Sequence, residues 1–115
     1  ATNLAIAEAL VLAEKAGVDR EKTYEVFASS AASSPFLQYK RQAFERPGEV
    51  PVAFSLDLVN KDLELILDLA RRVGAPMEQL DATAELTRRA VSAGMGADDM
   101  SALAVLLRES GHTPP

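Results

Sequence analysis

Lys61 and Asp62 stand side by side in residues 54–65, a run whose other members are Phe54, Ser55, Leu56, Asp57, Leu58, Val59, Asn60, Leu63, Glu64 and Leu65. Apolar residues return here every three or four positions, the period of a packed helix face. On a helical wheel Leu56, Val59, Leu63, Ile66, Ala70 and Val73 form one stripe, and Leu58, Leu65 and Leu69 a second about 100° away. Lys61 falls at the border of the second stripe, and Asp62 falls between the two. An ammonium there offers hydrogen-bond donors to any oxygen brought against it, and a carboxylate between two packing faces needs partners, because an unpaired buried charge costs several kcal/mol. The same residues also admit a plain structural role. Lys61 is one turn from Asp57, a pairing that contributes a few tenths of a kcal/mol, and Asp62 can cap or brace a neighbouring helix.

Other reactive residue types form no constellation. His112 is the single histidine, in the tail Gly111-His-Thr-Pro-Pro115, and cysteine is absent, so there is no metal-binding cluster and no thiol nucleophile. Ser29, Ser30, Ser33 and Ser34 surround a helix end and read as caps, with no Gly-x-Ser-x-Gly elbow to activate them. Gly94-Met-Gly96-Ala-Asp98-Asp99 lacks the Lys-Ser/Thr ending and the preceding strand of a phosphate loop. Its glycines end one helix and its aspartates begin another.

Several helices must carry these residues. Residues 1–16 put Ala5, Ile6, Ala9, Leu12, Ala13 and Ala16 on one apolar face, with Glu8, Glu14 and Lys15 opposite, interleaved with Leu4 and Val11; Gly17 ends the helix. Asp19 caps a helix over about 20–31, and Ser34-Pro35 opens a short one through Phe36, Tyr39 and Phe44. Ser55 caps the helix over 56–73, stopped by Gly74, with apolar stripes that predict neighbours on both sides. Pro76 opens a helix over 76–93, and Asp98 caps the last over 99–109. The only strand-like stretch, residues 50–54, is broken by Pro51. The expected fold is all-α, a bundle of about six helices in a single domain spanning 1–115.

The bulk numbers agree with a globular domain. In 115 residues, 48% are hydrophobic and 25% charged. A net charge of −5 with basic residues scattered among carboxylates counts against nucleic acid. No apolar run reaches the roughly 20 residues that cross a bilayer. The first residues lack a basic leader and are interrupted by Glu8 and Glu14, unlike a signal peptide. A cysteine-free chain suits a reducing cytoplasm, the expected location. The apolar rhythm runs from Ala1 with no initiator Met, as in a chain cut inside a helix.

Three fragments in order, Glu8-Ala9-Leu10 through Ala16-Gly17-Val18-Asp19, Phe54 through Lys61-Asp62-Leu63, and Gly94-x-Gly-x-x-Asp99-x-Ser101-Ala102, resemble the C-terminal helical domain of the β-hydroxyacid dehydrogenase family. That family includes 3-hydroxyisobutyrate dehydrogenase and tartronate semialdehyde reductase. The resemblance implies a fold like the C-terminal domain of 6-phosphogluconate dehydrogenase. It also implies a separate Rossmann domain that holds NAD or NADP, a small hydroxyacid or semialdehyde substrate, and a homo-oligomer, with no nucleic acid and no membrane. It assigns Lys61 and Phe54 to the nicotinamide end of the cofactor and Asp62 to bracing the same pocket. The family's acid/base lysine and the asparagine one turn after it have no counterpart here. Lys15 lies at the wrong end of its helix, and Asn3 has no lysine before it. The chain by itself is therefore expected to hold no catalytic residue and to turn over nothing. The competing expectation is a free-standing helical interaction module.

Overall fold

A computed structural model describes residues 1–110 of the chain. Seven α-helices follow one another: α1 (Thr2–Lys15), α2 (Arg20–Ser29), α3 (Pro35–Tyr39), α4 (Arg41–Glu45), α5 (Leu56–Val73), α6 (Glu78–Ala90) and α7 (Leu103–Ser110). A π turn, Val91–Met95, and a 3-10 turn, Met100–Ala102, lie between α6 and α7. Among the described residues the only β-type pairing is an isolated bridge between Ser55 and Asp99. The expected all-α architecture is observed. Among the described residues no helix is long and apolar enough to cross a membrane. The tail that carries His112 lies outside the described residues.

The helix ends follow the local chemistry. Gly17 adopts φ 92°, and Val18 N–H donates to the Ala13 carbonyl while Gly17 N–H donates to that of Glu14, a Schellman closure. The side chains of Asp19, Ser34 and Ser55 accept from Glu21 N–H, Leu37 N–H and Leu58 N–H. Gly74 closes α5 in the left-handed region. Other boundaries differ from expectation. The third helix is two short ones meeting at Lys40, the fifth begins at Glu78, past Pro76, and the final cap is Asp99, one residue after Asp98.

Three apolar clusters form the core. Ile6, Ala7, Leu10, Val11, Tyr24, Leu37, Phe44 and Ala104 join α1, α2, α3, α4 and α7. Leu4, Leu56, Leu86, Ala90, Ala102 and Leu103 join α1, α5, α6 and α7. Leu63, Leu67 and Ala84 join α5 to α6. The buried side of α1 is thus Leu4, Ile6, Ala7, Leu10 and Val11, while Ala5, Ala9, Leu12 and Ala16 are exposed. Of the expected face only Ile6 is buried and Ala13 half-buried, because α1 carries apolar residues all round. Periodicity cannot choose between two apolar sides, and the bulkier Leu and Val side chains release more water when covered than alanines do.

The larger correction concerns α5. Only one of its sides is covered, through Leu56, Leu63, Leu67 and Ala70, by α6 and the two turns that follow it. The second stripe, Leu58, Leu65 and Leu69, is exposed, and so are Ile66 and Val73 of the first. Asp62 is exposed with them rather than enclosed.

Candidate functional site

The start of α5 is fastened to the turn after α6 by a series of backbone hydrogen bonds. Leu56 N–H donates to the Asp98 carbonyl and Asp57 N–H to that of Gly96, both at 2.9 Å, and Met100 N–H donates to the Phe54 carbonyl at 2.8 Å. Gly94 reverses the chain at φ 88°, beyond the reach of most side chains without strain. Gly96 leaves room for a neighbouring side chain: a Cβ there would run into the Asp57 carboxylate and turn it aside.

Asp99 is the hub of this junction. Its Oδ1 accepts from Ala53 N–H at 3.1 Å and Phe54 N–H at 3.2 Å, and its Oδ2 from Ser101 N–H at 3.1 Å and the Ser101 hydroxyl at 2.7 Å. The ammonium of Lys40 donates to both oxygens, at 2.9 and 2.7 Å. Lys40 is 3% exposed, a charge taken out of water and offset by this carboxylate, with the Tyr39 ring 5.7 Å from its ammonium. Burial pushes the Asp99 carboxyl up. The hydrogen bonds from Lys40, Ser101 and Phe54 together outweigh it and hold the group well below the usual carboxylate range. A cavity of about 510 Å³ adjoins Asp99, lined by Val50, Val52, Met95, Ser101 and Val105 among others; Lys61 and Phe54 are not part of its lining.

Lys61 stands in the second turn of α5, roughly 8 Å along the axis from its start at 1.5 Å per residue. The ion pairs of α5 join Arg72 to Asp68 and Arg88 to Glu64, and Lys61 and Asp62 have no partner among the described residues. The pairing of Lys61 with Asp57 does not form; the Asp57 carboxylate lies over Gly96 instead. At 100° per residue, Lys61, Leu65, Leu58, Leu69, Asp62, Val73 and Ile66 succeed one another around the exposed side of α5. Phe54 is half-buried just before the Ser55 cap. The structure therefore places Lys61 and Asp62 on one uncovered face of α5 and Phe54 in the segment leading into it. Lys40 and Asp99 are the residues that sequence reasoning missed. They are separated by 59 positions, and no local spacing announces such a pair.

A family profile described as NAD-binding of NADP-dependent 3-hydroxyisobutyrate dehydrogenase matches residues 1–107. The chain belongs to this family. It is 31% identical over 98 residues to 2-(hydroxymethyl)glutarate dehydrogenase of Eubacterium barkeri, covering 85% of this chain and 33% of that protein. It is 34% identical over 103 residues to the cytokine-like nuclear factor N-PAC of Aedes aegypti, covering 90% of this chain and 18% of that protein. Among solved structures, a 3-hydroxyisobutyrate dehydrogenase from Salmonella typhimurium superposes with a TM-score of 0.83 at 28% identity, over 91% of this chain and 36% of that one. The chain thus spans about a third of the length of the dehydrogenases it matches. The family's cofactor is NAD or NADP. Lys61 leaves its ammonium donors unused among the described residues, and Phe54, seven positions earlier, is a half-buried apolar ring.

Proposed function

We propose that this chain is the cleft-closing helical domain of an NAD(P)-dependent β-hydroxyacid dehydrogenase or reductase, C-terminal to the dinucleotide-binding domain, with a fold like the C-terminal domain of 6-phosphogluconate dehydrogenase. The observation that carries this reading is the bare face of α5. Five apolar side chains lie open to water, with an unpartnered lysine at their border and an unpartnered aspartate among them. A continuous apolar patch on a soluble domain marks a surface that another body covers.

In that arrangement the cofactor supplies the hydride chemistry and this chain supplies position and charge. Lys61 donates to an oxygen at the nicotinamide end as the cleft closes and water leaves. Phe54 keeps water from the same place, and Asp62, which makes no ion pair with Lys61, holds a facing loop in register. The substrate is a small hydroxyacid or semialdehyde, and the assembly is a homo-oligomer. No residue of this chain acts as acid or base, so the isolated chain is inactive.

The decisive experiment replaces Lys61 in the full-length protein. Lys61→Ala is expected to raise the dissociation constant for NADH or NADPH about tenfold or more, the effect of losing a charge-assisted hydrogen bond worth ~1.5–3 kcal/mol. Unchanged cofactor affinity and turnover would instead support a second reading, a family scaffold without chemistry, which the likeness to a protein named as a nuclear factor favours.

A further inference from the structure

We infer that Lys40 and Asp99 are positioning residues for the cofactor-facing edge of this domain: their buried ion pair sets where Phe54 stands and where α5, with Lys61, begins. The inference rests on the function proposed above. Phe54 is held at both ends of its peptide unit by one short segment. Its N–H donates to Asp99 at 3.2 Å and its carbonyl accepts from Met100 N–H at 2.8 Å. The next two hydrogen bonds, from Leu56 and Asp57, go to residues 98 and 96. The segment itself is anchored on two further sides. Lys40, at the joint of α3 and α4, grips Asp99, and the Asn3 side chain of α1 donates to the Met100 carbonyl at 2.9 Å. The Asp99 carboxylate is thus the meeting point of three parts of the chain, and its hydrogen bonds run to the residues that lead into α5.

A buried ion pair is a poor source of stability, because desolvation cancels most of the attraction, and an apolar replacement of both partners is often no worse. It is a good source of geometry. A carboxylate that accepts from several backbone N–H groups and an ammonium fixes all of them relative to one another, whereas apolar side chains slide. The pair therefore acts on the cofactor through Phe54 and Lys61 and touches it nowhere itself.

The test compares four variants of the full-length protein, Lys61→Ala, Lys40→Met, Asp99→Asn and Lys40→Met/Asp99→Leu, by NADH or NADPH affinity and thermal midpoint. The single variants at 40 and 99 are expected to lower both affinity and midpoint. The double variant removes the unpaired charge, so its midpoint recovers, while its cofactor affinity stays about tenfold weaker, the effect of a displaced Lys61 losing one charge-assisted hydrogen bond. Affinity that recovers together with the midpoint overturns the inference and leaves a merely structural pair. If Lys61→Ala weakens binding and the other variants bind like the parent, the inference fails and the proposed function stands; if Lys61→Ala binds like the parent, the proposed function itself fails. Should the variants at 40 and 99 not fold, Ser101→Ala in the 115-residue chain decides, because it removes only the hydroxyl bond to Asp99. Amide exchange at Phe54 and the first turn of α5 is expected to quicken about tenfold while α7 keeps its protection. Unchanged exchange at Phe54 overturns the inference.

Discussion

Tyr24 shows how much one side chain can carry in a small core. It is fully buried, its ring packs against Phe27 and Phe44, and its hydroxyl donates to the Leu37 carbonyl at 2.6 Å. Burial pushes its pKa up to about 12, Glu45 adds to the rise and Arg41 opposes it. A raised phenol pKa means that folding favours the neutral form, so the contribution is whole below the unfolded value of 10.0 and is lost as pH climbs toward 12. Denaturation midpoints are therefore expected to fall across that alkaline window in the parent and much less in Tyr24→Phe. At neutral pH Tyr24→Phe should cost ~1–2 kcal/mol, because the Leu37 carbonyl is left without its donor. Lys61 is the opposite kind of residue: exposed and unpaired among the described residues, it contributes nothing visible to this fold, and its replacement should leave the unfolding free energy within about 0.5 kcal/mol of the parent. That contrast makes Lys61→Ala a clean probe of binding.

At the scale of elements, the Gly94-x-Gly-x-x-Asp99-x-Ser101 motif is a clasp for the start of α5. Its first glycine turns the chain, its second admits the Asp57 carboxylate, and its aspartate gathers the N–H groups of residues 53 and 54. Gly96→Ala is expected to destabilise the domain by about 1 kcal/mol or less, because what the new methyl meets is the exposed, rotatable end of Asp57 and not backbone. Adding Asp57→Ala should return most of that loss, since the carboxylate is what the new methyl would meet. Urea denaturation of the two single variants and the double variant measures the coupling, and additivity would show that the clash is not the cause.

For the whole molecule, two features set behaviour in solution. Asp99 and Glu14 both have carboxyls held below the ordinary range. In Glu14 burial opposes the shift, and bonds from Arg108 and Arg20 overcome it. Depressed pKa values contribute stability above the unfolded values of 3.8 and 4.5 that is lost as pH falls below them. Acid titration followed by circular dichroism should show the loss beginning near pH 4, shifted in Asp99→Asn. The second feature is the bare side of α5. With Leu65 60% and Leu69 52% exposed in one row, the 115-residue chain alone is expected to self-associate, and Leu65→Glu/Leu69→Glu to make it monomeric by sedimentation.

The helical class, most of the caps and the helix stops at Gly17 and Gly74 were legible because they are local: a cap needs a side chain within reach of the next turn, and Asp19, Ser34, Ser55, Gly17 and Gly74 all sit where such reach is possible. The fragments that name the family were legible for the same reason, as short runs in order. Which side of α1 and α5 turns inward was decided only by the fold, because both helices are apolar on more than one side and the neighbour chooses. The pairing of Lys40 with Asp99 was likewise beyond any local rule. It exists because α4, the loop before α5 and the turn after α6 converge on one buried point, where a charge must find its opposite or not be there at all.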